Sequence, residues 1–493
     1  MCDTTEKNDL AHHDLDFIKE LSNYSLESKM FACQGYASRI MSTSEVDMMK
    51  AYRQNIMPWE LEAFAAFSII NDEDGVETPI NAESFSNIIT NIRNYWHPEL
   101  TLAEKNGTYA DTFMMISALQ QFPVQGLFLQ KLFRYNYFFN FISPQIDMSV
   151  EFNKKFGAPY CDFELFAFIV FLSCSIDGQS SIGIDKCRYS LEKAFKISSA
   201  FDQLRIGKDE YKKELMNLYR ESEVDYYYGL KIQYSYPLIS GEDFTYIPSP
   251  YLVVNAVTES LLNRLTFNNN KLRNIFGKEV IESYLFDIYK DIPDVTWISR
   301  EFSYGKSTLL TPDVLVSEGD YCTFFDTKAL SPSLKIRQFN QDEITKELNI
   351  YAENVLQVYQ QIRNCTDGCF ELDKQYEKEK MFGVVVVLED AVLPREKVYE
   401  RAFDLWEEKN EVLSETEKNY IHSHIKVIPL RQIESMVLQN MSFLPCLITQ
   451  ERNPEQWDDL TFSNPNPENG LIPIYTQYVD GIKESVAAFL QTK

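Results

Sequence analysis

The first half of the chain carries apolar residues three and four positions apart, the spacing of one helix face. "PWELEAFAAFSIIN" (58–71), "SFSNIITNIRNYW" (84–96), "DTFMMISALQQF" (111–122) and "GLFLQKLFRYNYFFNFI" (126–142) each predict a helix. "DFELFAFIVFLSCSI" (162–176) is apolar nearly all round, which predicts a helix inside a helical domain. "DKCRYSLEKAFKISSAFDQL" (185–204) and "KDEYKKELMNLYRESE" (208–223) predict more exposed helices. Near residue 228 the period changes. "GLKIQYSYPLIS" and "FTYIPSPYLVV" alternate or run β-branched between Gly and Pro, which predicts strands or a hairpin over about 228–255. A helix over "NAVTESLLNRLTF" follows, and polar "NNNK" (Asn268 to Lys271) predicts a junction.

Beyond Lys271 the pattern predicts an ordered alternation. A helix covers "KLRNIFGKEVIESYLFDIYKDI". Strands follow at "TWISREFSY", "DVLVS" and "YCTFFDTKAL", with turns at "GKS" and "EGD". A long helix covers "DEITKELNIYAENVLQVYQQIRN". "MFGVVVVLE" is a continuous β-branched run, as expected of a strand buried on both faces. Another helical stretch precedes "HIKVIPLRQIESMV", read as strand then helix. The end holds a Pro/Asn-rich loop, "SNPNPENGLIP", and a terminal helix, "YVDGIKESVAAFLQ".

Composition narrows the class. A chain of 493 residues is long enough for two or three domains. Its net charge of −26 disfavours non-specific coating of nucleic acid. A nuclease is still allowed, because metal ions neutralise a carboxylate-rich site. The start, "MCDTTEKNDLAHHDLDF", lacks a basic-then-apolar signal pattern. The apolar run "LFAFIVFL" (165–172) is far below the ~20 residues of a membrane span. Nine scattered cysteines fit a reducing compartment better than a disulfide framework. A cytoplasmic protein that engages no membrane is expected.

The chemistry concentrates in "TPDVLVSEGDYCTFFDTKA" (Thr311 to Ala329). Asp313 opens one apolar strand, and Asp326 and Lys328 close the next. An antiparallel hairpin brings the start of one strand beside the end of its neighbour. Side chains alternate faces, so Asp326 and Lys328 share a side while Thr327 points away. Two carboxylates and an ammonium then meet at one sheet edge, where a divalent metal makes their burial tolerable.

Pro312-Asp313, twelve residues, and Asp326-Thr327-Lys328 resemble the PD-(D/E)xK nuclease superfamily, the restriction-endonuclease-like fold. "GKEVIESYL" resembles that family's Gly-x-x-x-x-Glu opening helix and offers Glu282 as a third acid, with Glu279 as the alternative. "LQVYQQI" resembles the Gln/Tyr signature of the RecB-like branch, with altered spacing. The resemblance covers about residues 271 to 440. It implies a restriction-endonuclease-like αβββαβ core (266–450). With the helical periodicity of the first half and the pattern at the end, the expected protein is α+β/α/β: a mostly helical domain (1–265) with a strand-containing segment near 228–255, that core, and a C-terminal loop and helix (451–493). It further implies Mg2+ or Mn2+ held by Asp313, Asp326, the Thr327 carbonyl and Glu282. Lys328 would position the attacking water. Gln357, Tyr359, Gln361, Lys335, Arg337 and Lys306 are candidate nucleic-acid contacts, and Lys271, Arg273 and Lys278 add positive charge nearby.

The expected function is a metal-dependent endonuclease, acting on DNA first and in restriction or phage (antiviral) defence. The alternatives are an inactive nuclease-fold scaffold working through the helical domain, or an RNA nuclease. A homo-oligomer, or a partner protein on the helical domain, is compatible with either.

Other motifs carry less. "GKST" (305–308) lacks the first glycine of a phosphate-binding loop, since Arg300 stands there. Cys365 and Cys369 have no second ligand pair at zinc spacing, and His422 and His424 stand alone. "NDEDG" (71–75) lacks the register of a calcium loop. Each reads as a turn, loop or structural position.

Overall fold

The computed structural model describes residues 16–41, 46–94, 103–105, 107, 111–113, 115, 128–176, 200–222, 232–241, 245–305, 309–337, 340–389, 391, 393–409, 412–452 and 470–491. It is a mixed α/β protein, and its chain divides into two compact units. One comprises Met1–Phe139 and Ser149–Phe267; the other comprises Asn140–Met148 and Asn268–Lys493. The sequence segments 111–122 and 185–204 lie largely outside the described residues, as do Lys306 and most of the Pro/Asn-rich loop near 463–473. Among the described residues, no helix is long and apolar enough to cross a membrane.

The first unit is mostly helical. Leu26–Ile40, Pro58–Ile70, Ala82–Asn94, Tyr160–Ile176 and Lys208–Ser222 are helices. Pro58 starts its helix where a missing N–H costs nothing, and Glu60 reaches back to the Met57 N–H at 2.8 Å. Where its side chains are described, the segment 162–176 is buried except at Asp162, Leu165 and Phe168, which are half-buried. A three-stranded sheet joins Arg205–Gly207, Leu238–Ser240 and Thr245–Tyr246.

Two strand expectations are corrected here. Ile232–Ser235 is a helical turn, and Leu252–Asn255 begins a helix that runs on to Thr266. The turn is fixed by the buried Gln233, whose amide donates to the Glu62 carbonyl at 3.0 Å. Val253 and Val254 favour strands intrinsically, but they are buried on a helix continuous with a strongly helical successor.

The second unit is built on one five-stranded sheet. Helix α1 combines Asn270–Ile275, a wide turn over Phe276–Ile281, and Glu282–Tyr289. Strands β1 (Val295–Arg300), β2 (Val314–Glu318) and β3 (Tyr321–Lys328) form an antiparallel meander. Helix α2 (Gln341–Thr366) crosses to β4 (Met381–Val387), parallel to β3. Helices α3 (Arg395–Glu407) and α4 (Glu415–His424) lead to β5 (Ile425–Pro429), parallel to β4. The spatial order is β5-β4-β3-β2-β1. Helix α5 (Leu430–Val437), α6 (Leu444–Arg452) and α7 (Pro473–Gln491) complete the unit.

Helices cover both faces of the sheet. Gly383 of β4 lies under Val358 and Ile362 of α2, where a side chain would collide. On the other face Tyr289 of α1 packs against Phe325 of β3 at 5.1 Å. Every residue of β4 and β5 is buried, as a strand covered on both faces requires. The β2–β3 turn has Gly319 at φ +56°, a conformation that a side chain disfavours.

The segment "TWISREFSY" is two strands, not one. Arg300 ends β1, and Ser303–Tyr304 pairs instead with Leu309–Leu310 in a small hairpin. The change of partner falls at Glu301 and Phe302, where the Phe302 N–H turns to the Thr311 hydroxyl at 3.0 Å.

Candidate functional site

The β2–β3 register places Val314 opposite Phe325, so Asp313, one step earlier, stands opposite Asp326. On the other side β1 pairs Arg300 with Val314, and the Glu301 N–H donates to the Asp313 carbonyl at 3.0 Å. Glu301, Asp313 and Asp326 therefore form one row across three strands at a single sheet edge. Glu301 was not singled out by sequence reasoning. Its signal was the end of an edge strand facing Pro312-Asp313, which only the register reveals.

Asp313 and Asp326 are both buried. The Asp313 Oδ2 accepts two hydrogen bonds from Thr327: the backbone N–H at 2.5 Å and the hydroxyl at 2.8 Å. The expectation that the Thr327 side chain turns away from the cluster is corrected. Where β2 begins late, the Asp313 carboxylate takes the ladder place of a backbone carbonyl and draws the threonine hydroxyl with it. The N–H and C=O of a strand residue point the same way, so the Thr327 carbonyl also faces the Asp313 side.

The Lys328 ammonium lies 2.6 Å from Asp326 Oδ2. This is a close ion pair at hydrogen-bond distance, and it counters the charge of the buried Oδ2. Gln357 of α2 bridges the pair. Its amide N–H donates to Asp326 Oδ1 at 3.2 Å, and its carbonyl accepts from Lys328 at 3.4 Å.

Glu282 of α1 lies within reach of the charges of this set. Burial, then the charges of Asp313 and Glu301, push its carboxyl up to about 9. The Asp326 carboxyl is raised to about 7, first by burial and then by Asp313, with Lys328 pulling the other way. Asp313 is raised chiefly by burial, while the Thr327 donors oppose the shift. Glu301 is raised by burial as well, with Lys278, 3.8 Å away, opposing it. Four carboxyls that each resist ionisation mark a place short of positive charge. Glu282 feels the Asp313 charge directly. A Cβ at Gly277 would only touch the Ala329 Cβ at 3.4 Å, an ordinary contact, so packing there does not require the glycine of the motif.

Oxygen donors of this kind suit a hard cation such as Mg2+. Among the described residues no three His, Cys, Asp or Glu side chains already stand in ligating geometry. Thr327 and Lys328 each occupy one carboxylate oxygen of the pair. Oxygen donors of this set suit a hard cation, and one reaching Asp326 Oδ2 would have to displace Lys328.

The remaining candidates separate. Tyr359 is buried, its hydroxyl donating to Glu417 at 2.9 Å and its ring against Trp406. Gln361 is buried too. Both are corrected as nucleic-acid contacts, because the helix turns them into the unit. Gln357 serves the site itself. Lys335 is exposed, 4.0 Å from Glu343; Arg337 ends a short helical turn, Leu334–Arg337. Lys306 lies outside the described residues. Lys271, Arg273 and Lys278 are exposed on α1. His422 and His424 lie in the last turn of α4, directly before β5 begins at Ile425. His422 meets Glu396 at 2.9 Å, while His424 stacks on Tyr420 and Phe382.

The chain matches no protein-family model, no curated protein and no solved structure.

Proposed function

We propose that the second unit is a divalent-cation-dependent phosphodiesterase of the PD-(D/E)xK type, cutting nucleic acid and DNA first. The observation that carries this reading is the meeting of Asp313, Asp326 and Lys328 at one sheet edge, with Glu282 of α1 near enough to feel the Asp313 charge. The antiparallel meander followed by a helix and a parallel strand supports a restriction-endonuclease-like core. In this reading Asp313 and Asp326 hold Mg2+ or Mn2+, with Glu282 and the Thr327 carbonyl as further ligands. Bound there, the metal supplies a Lewis acid and a more acidic water. Lys328, steadied by Gln357, orients the attacking water and offsets charge that develops on the phosphate. Exposed Lys271, Arg273, Lys278 and Lys335 supply the phosphate contacts that the net charge of −26 withholds elsewhere. A cytoplasmic role in restriction or phage defence, with the helical unit holding a partner or a second copy, belongs to the same proposal.

One observation favours a second reading, a scaffold without activity. Lys328 fills Asp326 Oδ2, and no ready-made ligand cluster stands among the described residues. One assay separates the two. Plasmid, single-stranded DNA and RNA are incubated with Mg2+, Mn2+ or chelator. The phosphodiesterase predicts cutting that chelator abolishes and that Asp326→Ala lowers about a thousandfold or more, with helical content retained. Cutting of RNA alone would move the substrate to RNA. No cutting under any condition, or full activity in Asp326→Ala, would leave the scaffold.

A further inference from the structure

We infer that Thr327 is a positioning residue for Asp313, fixing which carboxylate oxygen is left for a cation. The inference rests on the cation site proposed above and concerns a residue whose side chain that reading does not use.

Thr327 gives two donors to one atom. Its N–H and its hydroxyl both reach Asp313 Oδ2, at 2.5 and 2.8 Å, in a buried setting. No other described hydrogen bond reaches that carboxylate, so Oδ1 accepts none. A carboxylate gripped at one oxygen cannot swing, and it presents the other oxygen in a fixed direction. Bidentate capture of a cation through both oxygens would require losing two charge-assisted hydrogen bonds, which are strong when buried. Asp313 is therefore built to bind through Oδ1 alone.

The hydroxyl matters beyond the backbone. The N–H would be present with any residue at 327, whereas the Oγ1 donor needs Thr or Ser. A small or purely apolar residue there would satisfy the strand equally well. Partners that orient a metal ligand in this way typically contribute about 10- to 100-fold in metal affinity.

The test uses the full chain and Mn2+ alone, with affinity read by calorimetry and by the Mn2+-induced rise in melting temperature. Thr327→Val keeps the β-branched shape and removes the hydroxyl. Thr327→Ser keeps the hydroxyl and removes a methyl. The inference expects Thr327→Val to bind Mn2+ about tenfold or more weakly and Thr327→Ser to stay close to the native chain. A purely structural role would lower the melting temperature equally with and without Mn2+; positioning requires the Mn2+-induced rise itself to shrink. Should Thr327→Val fold poorly, Thr327→Ala takes its place in the same comparison. Equal Mn2+ affinity in the native chain and the hydroxyl-free variant would overturn the inference while leaving the cation site intact. Failure of the native chain to bind Mn2+ would overturn both.

Discussion

The Glu301 N–H donates to the Asp313 carbonyl at 3.0 Å, carrying the β1–β2 ladder one residue past its last strand pair. That bond and the β2–β3 register together align Glu301, Asp313 and Asp326 across three strands. Like charges in adjacent rows are destabilising in a sheet unless something offsets them. Here Lys278 and Lys328 offset them in part.

Glu282 gives this cost a pH signature. Its folded carboxyl is raised from 4.5 to about 9. As pH climbs past 4.5 the unfolded chain releases this proton first, so the unfolded state binds fewer protons across that window. Without divalent metal, stability therefore falls as pH rises from about 4.5 toward 9. Glu282→Gln makes this slope shallower, the rest coming from Asp326, Asp313 and Glu301, and is more stable than the native chain at pH 8, by on the order of 1–3 kcal/mol. Denaturant melts at pH 5 and pH 8 in chelator check it, and identical slopes would contradict it.

Lys328 and Gln357 form a second test. Gln357 holds both members of the Asp326–Lys328 pair. Lys328→Met is expected to lower cleavage by about a hundredfold or more while leaving cation binding intact, because the lysine acts on water and phosphate. Gln357→Leu is expected to lose less, about tenfold, since it only orients the lysine. Single-turnover rates measured beside Mn2+ titrations separate the two. Loss of Mn2+ binding in Lys328→Met would contradict the assignment.

Packing under the site rests on Gly383. A Cβ there would collide with Val358 and lie 3.2 Å from Ile425 Cγ1 and 3.3 Å from Ile362 Cδ1. Gly383→Ala is expected to push α2 off β4 and cost about 1–3 kcal/mol, as overpacking does. Because α2 carries Gln357, cleavage should fall as well. Unchanged thermal stability would contradict this packing.

Much of the second unit was legible in the sequence, because its elements announce themselves by period. The β-branched run "MFGVVVVLE" and the long amphipathic α2 gave β4 and α2 almost to the residue. Asp313, Asp326 and Lys328 were readable because a tight turn makes the two strands antiparallel neighbours; the turn read as "EGD" is shorter by one residue, since Glu318 pairs with Tyr321. What escaped is what register and helix rotation decide. Glu301 looked like an ordinary strand acid, since its neighbour Asp313 lies twelve positions away. The Thr327 hydroxyl was missed because simple alternation sends it to the other face, while the late start of β2 lets the Asp313 side chain reach it. Tyr359 and Gln361 sat in a motif-like string, yet α2 turns both into the unit. In the first unit Val253 and Val254 read as strand, and helix continuity overrode their preference.

The central claim is that Asp313 and Asp326 share a divalent cation. A crystal soaked in Mn2+ and measured at a wavelength where manganese scatters anomalously tests it most directly. The account predicts one strong anomalous peak about 2.0–2.2 Å from an oxygen of each carboxylate, with Lys328 displaced from Asp326 Oδ2. A saturated soak with no peak between the two aspartates, and Lys328 still 2.6 Å from Asp326, would contradict it.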